Sequence, residues 1–213
     1  MAAQSNNSTE QDLKSLLSDI GEGIVIDLGT GDGRFVSAQA AANPAKFYIG
    51  IDANVKPLEK PSMKATRKLT KGGLPNALFI QAAIEDLPAG LDGVADEVHI
   101  HFPRGSLLRA VATAEGAFLA AIRRLILPGG LIEIVVTIDP ERDRAEIERL
   151  GVPDLTPVFV HSYLIPRFSA AGFTNLGAET LEPDEWRKIE TPWAKKLRGN
   201  PMRRAVALIF QAT

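Results

Sequence analysis

Apolar and polar positions along this chain alternate between two periods. Strand-length segments of five to seven residues recur at Ile24–Leu28, Phe47–Ile51, Ala77–Gln81 and Leu131–Thr137, mostly apolar, at Glu97–His101, where polar and apolar residues alternate, and again near Leu176–Leu181 and Ala205–Phe210. Runs of that length read as strands buried in a sheet. Between them the apolar residues recur at helical spacing over Arg34–Ala42, about Lys56–Lys71, Glu115–Leu125, Glu141–Leu150 and Ser162–Ala171. Ser8 to Ile20 predicts a short leading helix, with Ser8 or Thr9 as cap and Leu13, Leu16, Leu17 and Ile20 on one face. Strands alternating with helices predict an α/β fold built on a parallel, doubly wound sheet. Leu127-Pro128-Gly129-Gly130 predicts a helix stop and a tight turn before the fifth strand. Pro153 to Pro157 is the best candidate for an irregular connection, too short to divide domains. The chain therefore reads as one domain over residues 1–213 with a short N-terminal extension.

The first strand runs straight into Asp27-Leu28-Gly29-Thr30-Gly31-Asp32-Gly33, and the second ends in Asp52. A strand-helix-strand unit brings those two ends side by side, a geometry in which an acid takes the hydroxyls of a nucleoside ribose. Two cofactor classes use it. A dinucleotide presents an anionic pyrophosphate, which the carboxylates of Asp27 and Asp32 would repel, whereas S-adenosylmethionine presents a sulfonium and an ammonium. The spacing Gly29-x-Gly31-x-Gly33 also departs from the dinucleotide pattern, whose last gap is two residues. S-adenosylmethionine is the favoured cofactor; a tight turn that binds nothing is the plain alternative. Seven strands with a late hairpin, and the Leu127-Pro128-Gly129-Gly130 turn before the fifth, agree with a class I S-adenosylmethionine-dependent methyltransferase, a Rossmann-like, seven-stranded doubly wound sheet.

Composition narrows the chemistry. The 213 residues contain no cysteine, which removes disulfides, thiolate metal sites and methylation through a cysteine adduct. His99, His101 and His161 are the only histidines and none has HExxH-like spacing, so no metal is expected. The polar start and the lack of a membrane-length apolar run predict a cytoplasmic protein with no membrane partner. The net charge of -2 hides a segregation. Lys56–Lys71 and Arg187–Arg204 together hold 13 of the 24 basic residues against two acids, Glu59 and Glu190. Lys56, Lys60, Lys64, Arg67, Lys68 and Lys71 advance by three or four, a stripe along one helix face if Pro61 sits near the helix start. Such a stripe is either a solvated face or a row of phosphate contacts; the scarcity of acids favours phosphate.

The fourth strand is followed by His101-Phe102-Pro103-Arg104-Gly105-Ser106, which should face the transferred group. There is no Asn or Asp with prolines here to accept amine protons, as adenine amino-group methylation needs. A ring nitrogen with its own lone pair needs alignment only. His101 could act as a general base, but His99 and His101 share one strand face, and packing or hydrogen bonding is the favoured role.

At these residues the chain resembles the aminoglycoside-resistance 16S rRNA (adenine(1408)-N1) methyltransferases. The likeness runs through Asp27 to Gly33, Gly50-Ile51-Asp52-Ala53, Lys71-Gly72-Gly73-Leu74-Pro75-Asn76, Ala83 to Pro88 and Pro103-Arg104-Gly105-Ser106-Leu107-Leu108-Arg109, and resumes at Leu181-Glu182-Pro183 and Glu190-Thr191-Pro192-Trp193. It is nearly unbroken from Val25 to Arg109 and is not so from Ile138 to Ala170. The resemblance implies that Gly29 and Asp52 hold S-adenosylmethionine, that Ile84 and Glu85 flank its adenine, that His101 to Ser106 pass beneath its methionine, and that Trp193 stacks on the flipped base. The cofactor set expected from the loop and the resemblance together is Asp27, Gly29, Gly31, Asp52, Ala53, Ala83, Ile84, Glu85, His101, Phe102, Pro103, Arg104, Gly105, Ser106, Thr191, Pro192 and Trp193. Trp193, Arg104 and Pro103 are expected at the reacting base, and Lys60, Lys64, Arg67, Lys68, Lys71, Lys195, Lys196, Arg198, Arg203 and Arg204 on the RNA.

Relatives carry a second tryptophan at Arg104 and serine at Pro192. A guanidinium can stack on a base as a weaker clamp. Trp186 matches no aromatic of the family and reads as packing. The resemblance implies a monomeric enzyme acting on 16S rRNA within the 30S subunit. The runner-up is a tRNA (guanine-N7) methyltransferase, and a rival of another class is a weakly active, S-adenosylmethionine-binding ribosome-associated protein. Small-molecule methylation would leave the basic stripe without a role.

Overall fold

Ile24–Leu28 forms β1, buried at every position, as a central strand covered on both faces must be. The computed structural model describes residues 11–20, 23–139, 141, 143–182 and 205–213. Trp186, Thr191, Pro192, Trp193, Lys195, Lys196, Arg198, Arg203 and Arg204 lie outside those residues. β1 pairs in parallel with β2 (Phe47–Asp52) and with β4 (Ala95–His101). β3 (Ala77–Gln81) extends the sheet beyond β2, and β5 (Ile126–Thr137) extends it beyond β4, both in parallel. β7 (Ala205–Ala212) runs antiparallel to β5, and β6 (Phe173–Leu181) antiparallel to β7. The seven strands therefore lie in the order β3-β2-β1-β4-β5-β7-β6. The doubly wound plan with a late hairpin is present, and the strand order reverses between β1 and β4, where open α/β sheets take their ligands.

Helices cover both faces. Residues 11–18 form α1, followed by α2 (Arg34–Ala42), α3 (Val55–Ala65), α4 (Gly105–Ala112), α5 (Gly116–Leu125), α6 (Arg144–Leu150), α7 (Pro157–Phe159) and α8 (Ile165–Ala170). On one face Val25 and Tyr48 pack with Phe35, Val36 and Ala40 of α2 and Ala65 of α3. On the other, Ile26, Ile49, Ile100 and Ile134 pack with Leu17 of α1, Leu108 and Val111 of α4, Phe118 and Ile122 of α5, and Phe168 of α8. Phe168 stacks on Phe210 with centroids 4.2 Å apart, which ties α8 to the terminal hairpin. Two polar side chains fix strand starts. Asp96 accepts from the N–H groups of Gly23 and Ile24, each at 2.9 Å, and Asn76 donates to the carbonyls of Ala40 and Lys46, each at 3.0 Å.

Several elements differ from the sequence expectation, for local reasons. The helix expected across Lys56–Lys71 stops at Ala65, and Leu69–Lys71 is a separate 3₁₀ turn. The chain folds back there: Leu74 N–H donates to Ala65 O, and a Cβ on Gly73 would lie 1.8 Å from Arg67 O. Pro61 sits inside α3, not near its start, and is buried against the glycine loop. Leu127-Pro128-Gly129-Gly130 is an irregular stretch within β5, between the Ala95–Ile126 and Glu97–Leu131 pairs. Helix α4, absent from the sequence reading, begins directly after Pro103-Arg104. Pro157 opens a helical run whose cap is Thr156, accepting from Phe159 N–H at 3.2 Å, so the irregular stretch ends sooner than expected. That run passes through a π turn at Val160–Leu164 into α8. Among the described residues no single helix is long and apolar enough to cross a membrane.

Gly33 precedes α2 at φ 66°, and a Cβ there would lie 2.5 Å from Phe79 Cε1 and 2.9 Å from Pro61 Cβ. Gly33→Ala is expected to cost roughly 2–4 kcal/mol, combining left-handed backbone strain with overpacking. Urea unfolding checks this, and a loss below about 1 kcal/mol would show that α3 yields freely.

Candidate active site

The glycine loop is fastened to the end of β2. Gly29 and Thr30 both donate their N–H groups to Ile51 O, at 2.8 and 3.0 Å. Gly31 N–H donates to Asp52 Oδ2 at 2.9 Å, and Asp52 Oδ1 accepts from the backbone N–H of Asn54 at 2.8 Å. The two acids flanking the glycines differ in kind. Asp27 is buried in the wall, and burial pushes its carboxyl up, against the pull of His101, the Thr30 hydroxyl and His99. Asp32 stands at the rim and pairs with Arg34 Nε at 2.9 Å.

Beyond the carboxyl ends of the strands these segments enclose a cavity of about 570 Å³, a size that suits a nucleoside-bearing small molecule. It is lined by the loop, the Asp52-Ala53 end of β2, Ala83-Ile84-Glu85 and His101 to Ser106. Every described residue of the expected cofactor set lies in this lining, though four separate stretches of chain contribute. Thr30, Asn54, Pro57, Ala82, Leu87 and Leu107 line it too. The cofactor set expected from sequence omits them, although Thr30, Leu87 and Leu107 lie inside the motifs that carry the resemblance; Asn54, Pro57 and Ala82 lie only near them.

The stretch after β4 is held under strain. Phe102 has φ 52°, a left-handed backbone that is costly for a bulky residue. Its N–H donates to Val135 O at 2.7 Å, and its side chain packs with Val135, Ala205 and Ala207. That kink aims Pro103 and Arg104 across the cavity mouth. Arg104 Nη1 lies 3.9 Å from both Asp143 Oδ2 and Glu146 Oε2, and Gly105 N–H donates to Glu146 Oε1 at 3.3 Å. The arginine is thus joined to the start of α6.

Beneath this stretch a ladder of charge runs along β4. Lys46 Nζ meets Glu97 Oε1 at 2.6 Å, and Glu97 Oε2 meets His99 Nε2 at 3.2 Å. His99 Nδ1 lies 3.7 Å from Glu133 Oε1, which in turn lies 2.6 Å from His101 Nε2. Both imidazoles share one strand face, as the i, i+2 spacing predicts, and Phe35 packs on them with ring centroids at 5.3 and 4.8 Å. Burial works to lower the His99 pKa, but Glu133 and Glu97 outweigh it and hold the ring up to about 9. Glu97 is drawn down to about 2, first by His99, against its partial burial and with help from Lys46. Glu133 is held well below the usual carboxylate range by His101 and His99. Sequence reasoning missed Glu133. Its signal was a lone charge inside an apolar strand, directly opposite His99 in the ladder of β4 and β5.

The basic stripe is exposed throughout. Lys56, Lys60 and Lys64 stand on α3, Arg67 and Lys68 on the turn after it, and Lys71 on the 3₁₀ turn. Met63 and Leu69 are exposed among them.

A family model described as NpmA, 16S rRNA (adenine(1408)-N(1))-methyltransferase, matches residues 3–212. The chain is 35% identical over 178 residues to the 16S rRNA (adenine(1408)-N(1))-methyltransferase of Streptoalloteichus tenebrarius, covering 83% of this chain and 81% of the relative. Among solved structures it is similar to the aminoglycoside resistance methyltransferase NpmB1, with 47% identity, a TM-score of 0.81, and coverage of 94% of this chain and 93% of the other. It is also similar to a point mutant of the 16S rRNA (adenine(1408)-N(1))-methyltransferase from Catenulisporales acidiphilia, crystallised with the cosubstrate SAM. The identity there is 32% and the TM-score 0.84, over 95% of this chain and 91% of the other. A tRNA (guanine-N(7)-)-methyltransferase of Rubrobacter xylanophilus matches more distantly, with 28% identity over 58% of this chain and 55% of its own.

Glu133→Gln removes the carboxylate shared by both histidines. The loss of the ion pair with His99, and of the charge on the hydrogen bond with His101, at a half-exposed partner is expected to cost about 1–2 kcal/mol in chemical unfolding. No measurable loss would mean that the ladder contributes nothing to stability.

Proposed function

We infer that this chain, which belongs to the 16S rRNA (adenine(1408)-N(1))-methyltransferase family, transfers a methyl group from S-adenosylmethionine to N1 of adenine 1408 in the decoding site of the small ribosomal subunit. Resistance to aminoglycosides that bind there follows. The observation that carries the reading is the gathering of the glycine loop, Asp52, Ala83–Glu85 and His101–Ser106 around one cavity.

The residues present fit a cationic cosubstrate better than a dinucleotide. The N–H groups of Gly29, Thr30 and Gly31, which would have to cradle a pyrophosphate, are already bonded to Ile51 O and Asp52. Asp27, Asp32 and Asp52 all line the cavity, so a phosphate there would meet acids while a cation would be attracted. In this reading Gly29 and Asp52 hold the cosubstrate, Ile84 and Glu85 flank its adenine, and His101 to Ser106 run beneath its methionine. When bound, S-adenosylmethionine supplies an electrophilic methyl on a sulfonium. Because adenine N1 brings its own lone pair, the protein has to supply alignment and not a proton acceptor. This agrees with a His101 already engaged by Glu133.

Trp193 and Arg104 are assigned to the two faces of the flipped base, with Pro103 beside them. The ion pairs of Arg104 involve the edge of the guanidinium, and stacking would use its face. β6 ends at Leu181 and β7 begins at Ala205, paired with each other and level with Thr137 at the end of β5. Leu181 and Ala205, the described residues on either side of Thr191, Pro192 and Trp193 in sequence, thus stand at the cavity end of the sheet, which supports the assignment. Lys60, Lys64, Arg67, Lys68 and Lys71, with Lys195, Lys196, Arg198, Arg203 and Arg204, are assigned to rRNA phosphates on the assembled 30S subunit, approached by a monomer.

Reverse transcription of 16S rRNA from cells making the protein tests the reading, since N1 methylation blocks pairing. A stop at adenine 1408 is expected, and Trp193→Ala should remove it while cofactor affinity in calorimetry stays nearly unchanged. Absence of the stop with intact cofactor affinity would favour a ribosome-bound protein of little activity. Cleavage of tRNA after borohydride and aniline would favour guanine-N7 transfer instead. Reversing Lys64 and Lys68 to Glu should weaken 30S binding by about tenfold or more and flatten its salt dependence. Unchanged sedimentation with 30S subunits would make that stripe a solvated face.

A further inference from the structure

We propose that His99, His101 and Glu133 form a binding site for a zinc-class divalent cation on the face of β4 and β5 that carries the charge ladder. Two histidines two residues apart on a strand place both rings on one side of the sheet. Parallel pairing sets Glu133 directly opposite His99. One donor atom from each of the three side chains lies within 4.8 Å of the other two. Glu133 Oε1 stands 2.6 Å from His101 Nε2 and 3.7 Å from His99 Nδ1. Donors around a tetrahedral ion with bonds of about 2.1 Å are roughly 3.3 Å apart, so the observed separations bracket the requirement and small rotations close it.

The surroundings match what a ligating histidine needs. His99 Nδ1 is buried without a hydrogen-bond partner and faces Glu133. Its other nitrogen lies 3.2 Å from Glu97, and Glu97 is held by Lys46 at 2.6 Å. A carboxylate behind a ligating imidazole fixes its tautomer and raises its basicity. With the cation on Nδ1, His99 keeps its proton on Nε2 toward Glu97. Phe35 closes one side with an apolar ring, while the Glu133 side chain, 40% exposed, leaves room for a water ligand and a path for the ion. Two imidazoles and one carboxylate suit zinc and its neighbours in the first transition row and do not suit magnesium or calcium. The cation would clamp β4 to β5 just where His101 enters the cavity wall.

Titration of chelator-stripped full-length protein with Zn²⁺, followed by calorimetry and by thermal unfolding, tests the site. One equivalent should bind and raise the unfolding midpoint, and Co²⁺ in its place should give the visible absorption of a tetrahedral site. His99→Gln and Glu133→Gln should each weaken binding by at least about 100-fold, the ligands being lost outright. Glu97→Gln keeps all three ligands and should weaken binding by about 10–100-fold, so it reports on the site even where a ligand variant fails to fold. The proposal is overturned if folded wild-type protein takes up no Zn²⁺, if these variants bind as wild type does, or if His161→Gln abolishes binding instead.

Discussion

Three backbone hydrogen bonds from the glycine loop to the end of β2 hold the rest of the site in register. Gly29, Thr30 and Gly31 all donate within a single turn, two to Ile51 O and one to Asp52. They are the loop's tightest tie to the sheet, and they do two things at once. The turn is kept sharp enough for α2 to start at once and pack Phe35 and Val36 against Val25 and Tyr48. The donors that would make the loop a phosphate cradle are also withdrawn. Ligand charge preference here thus follows from how the backbone satisfies itself, with the acids reinforcing it.

A second constraint comes from the polar face of β4. Its neighbours in the sheet bury apolar side chains, yet Glu97, His99 and His101 point to one side and Glu133 joins them. The two imidazoles are shielded from water, and buried polar groups persist only when each finds a partner. The ladder meets that condition by setting a carboxylate against each basic side chain from Lys46 to His101. Its last rung is also cavity wall, so the strand carrying the ladder delivers the reacting end of the site. The kink at Phe102 then redirects the chain, and burial of its ring against Val135, Ala205 and Ala207 offsets the backbone strain.

Much of this was legible in the order of residues. The apolar runs at Ile24, Phe47 and Ala77 become strands because parallel strands covered on both faces must be apolar throughout, and that signal is strong. The glycine loop and Asp52 were readable because their chemistry depends on residue type at fixed spacing. What escaped was set by tertiary contact. Helix α4 is short and follows Pro103-Arg104 without a capping residue to announce it. The break after Ala65 depends on Gly73 lying against Arg67, which periodicity cannot report. Glu133 acquired meaning only through its register with His99, a pairing between positions far apart in the chain.

The hairpin of β6 and β7 has a consequence for how this protein can change. Leu181 and Ala205 are locked together beside Thr137, so both ends of the connection between them are fixed relative to the cavity. Substitutions beyond those two strand ends leave the pairing of β5, β6 and β7 untouched, so the sheet that carries the cavity tolerates change there. On the function proposed above, target choice is then an adjustable part mounted on an unchanging reaction chamber.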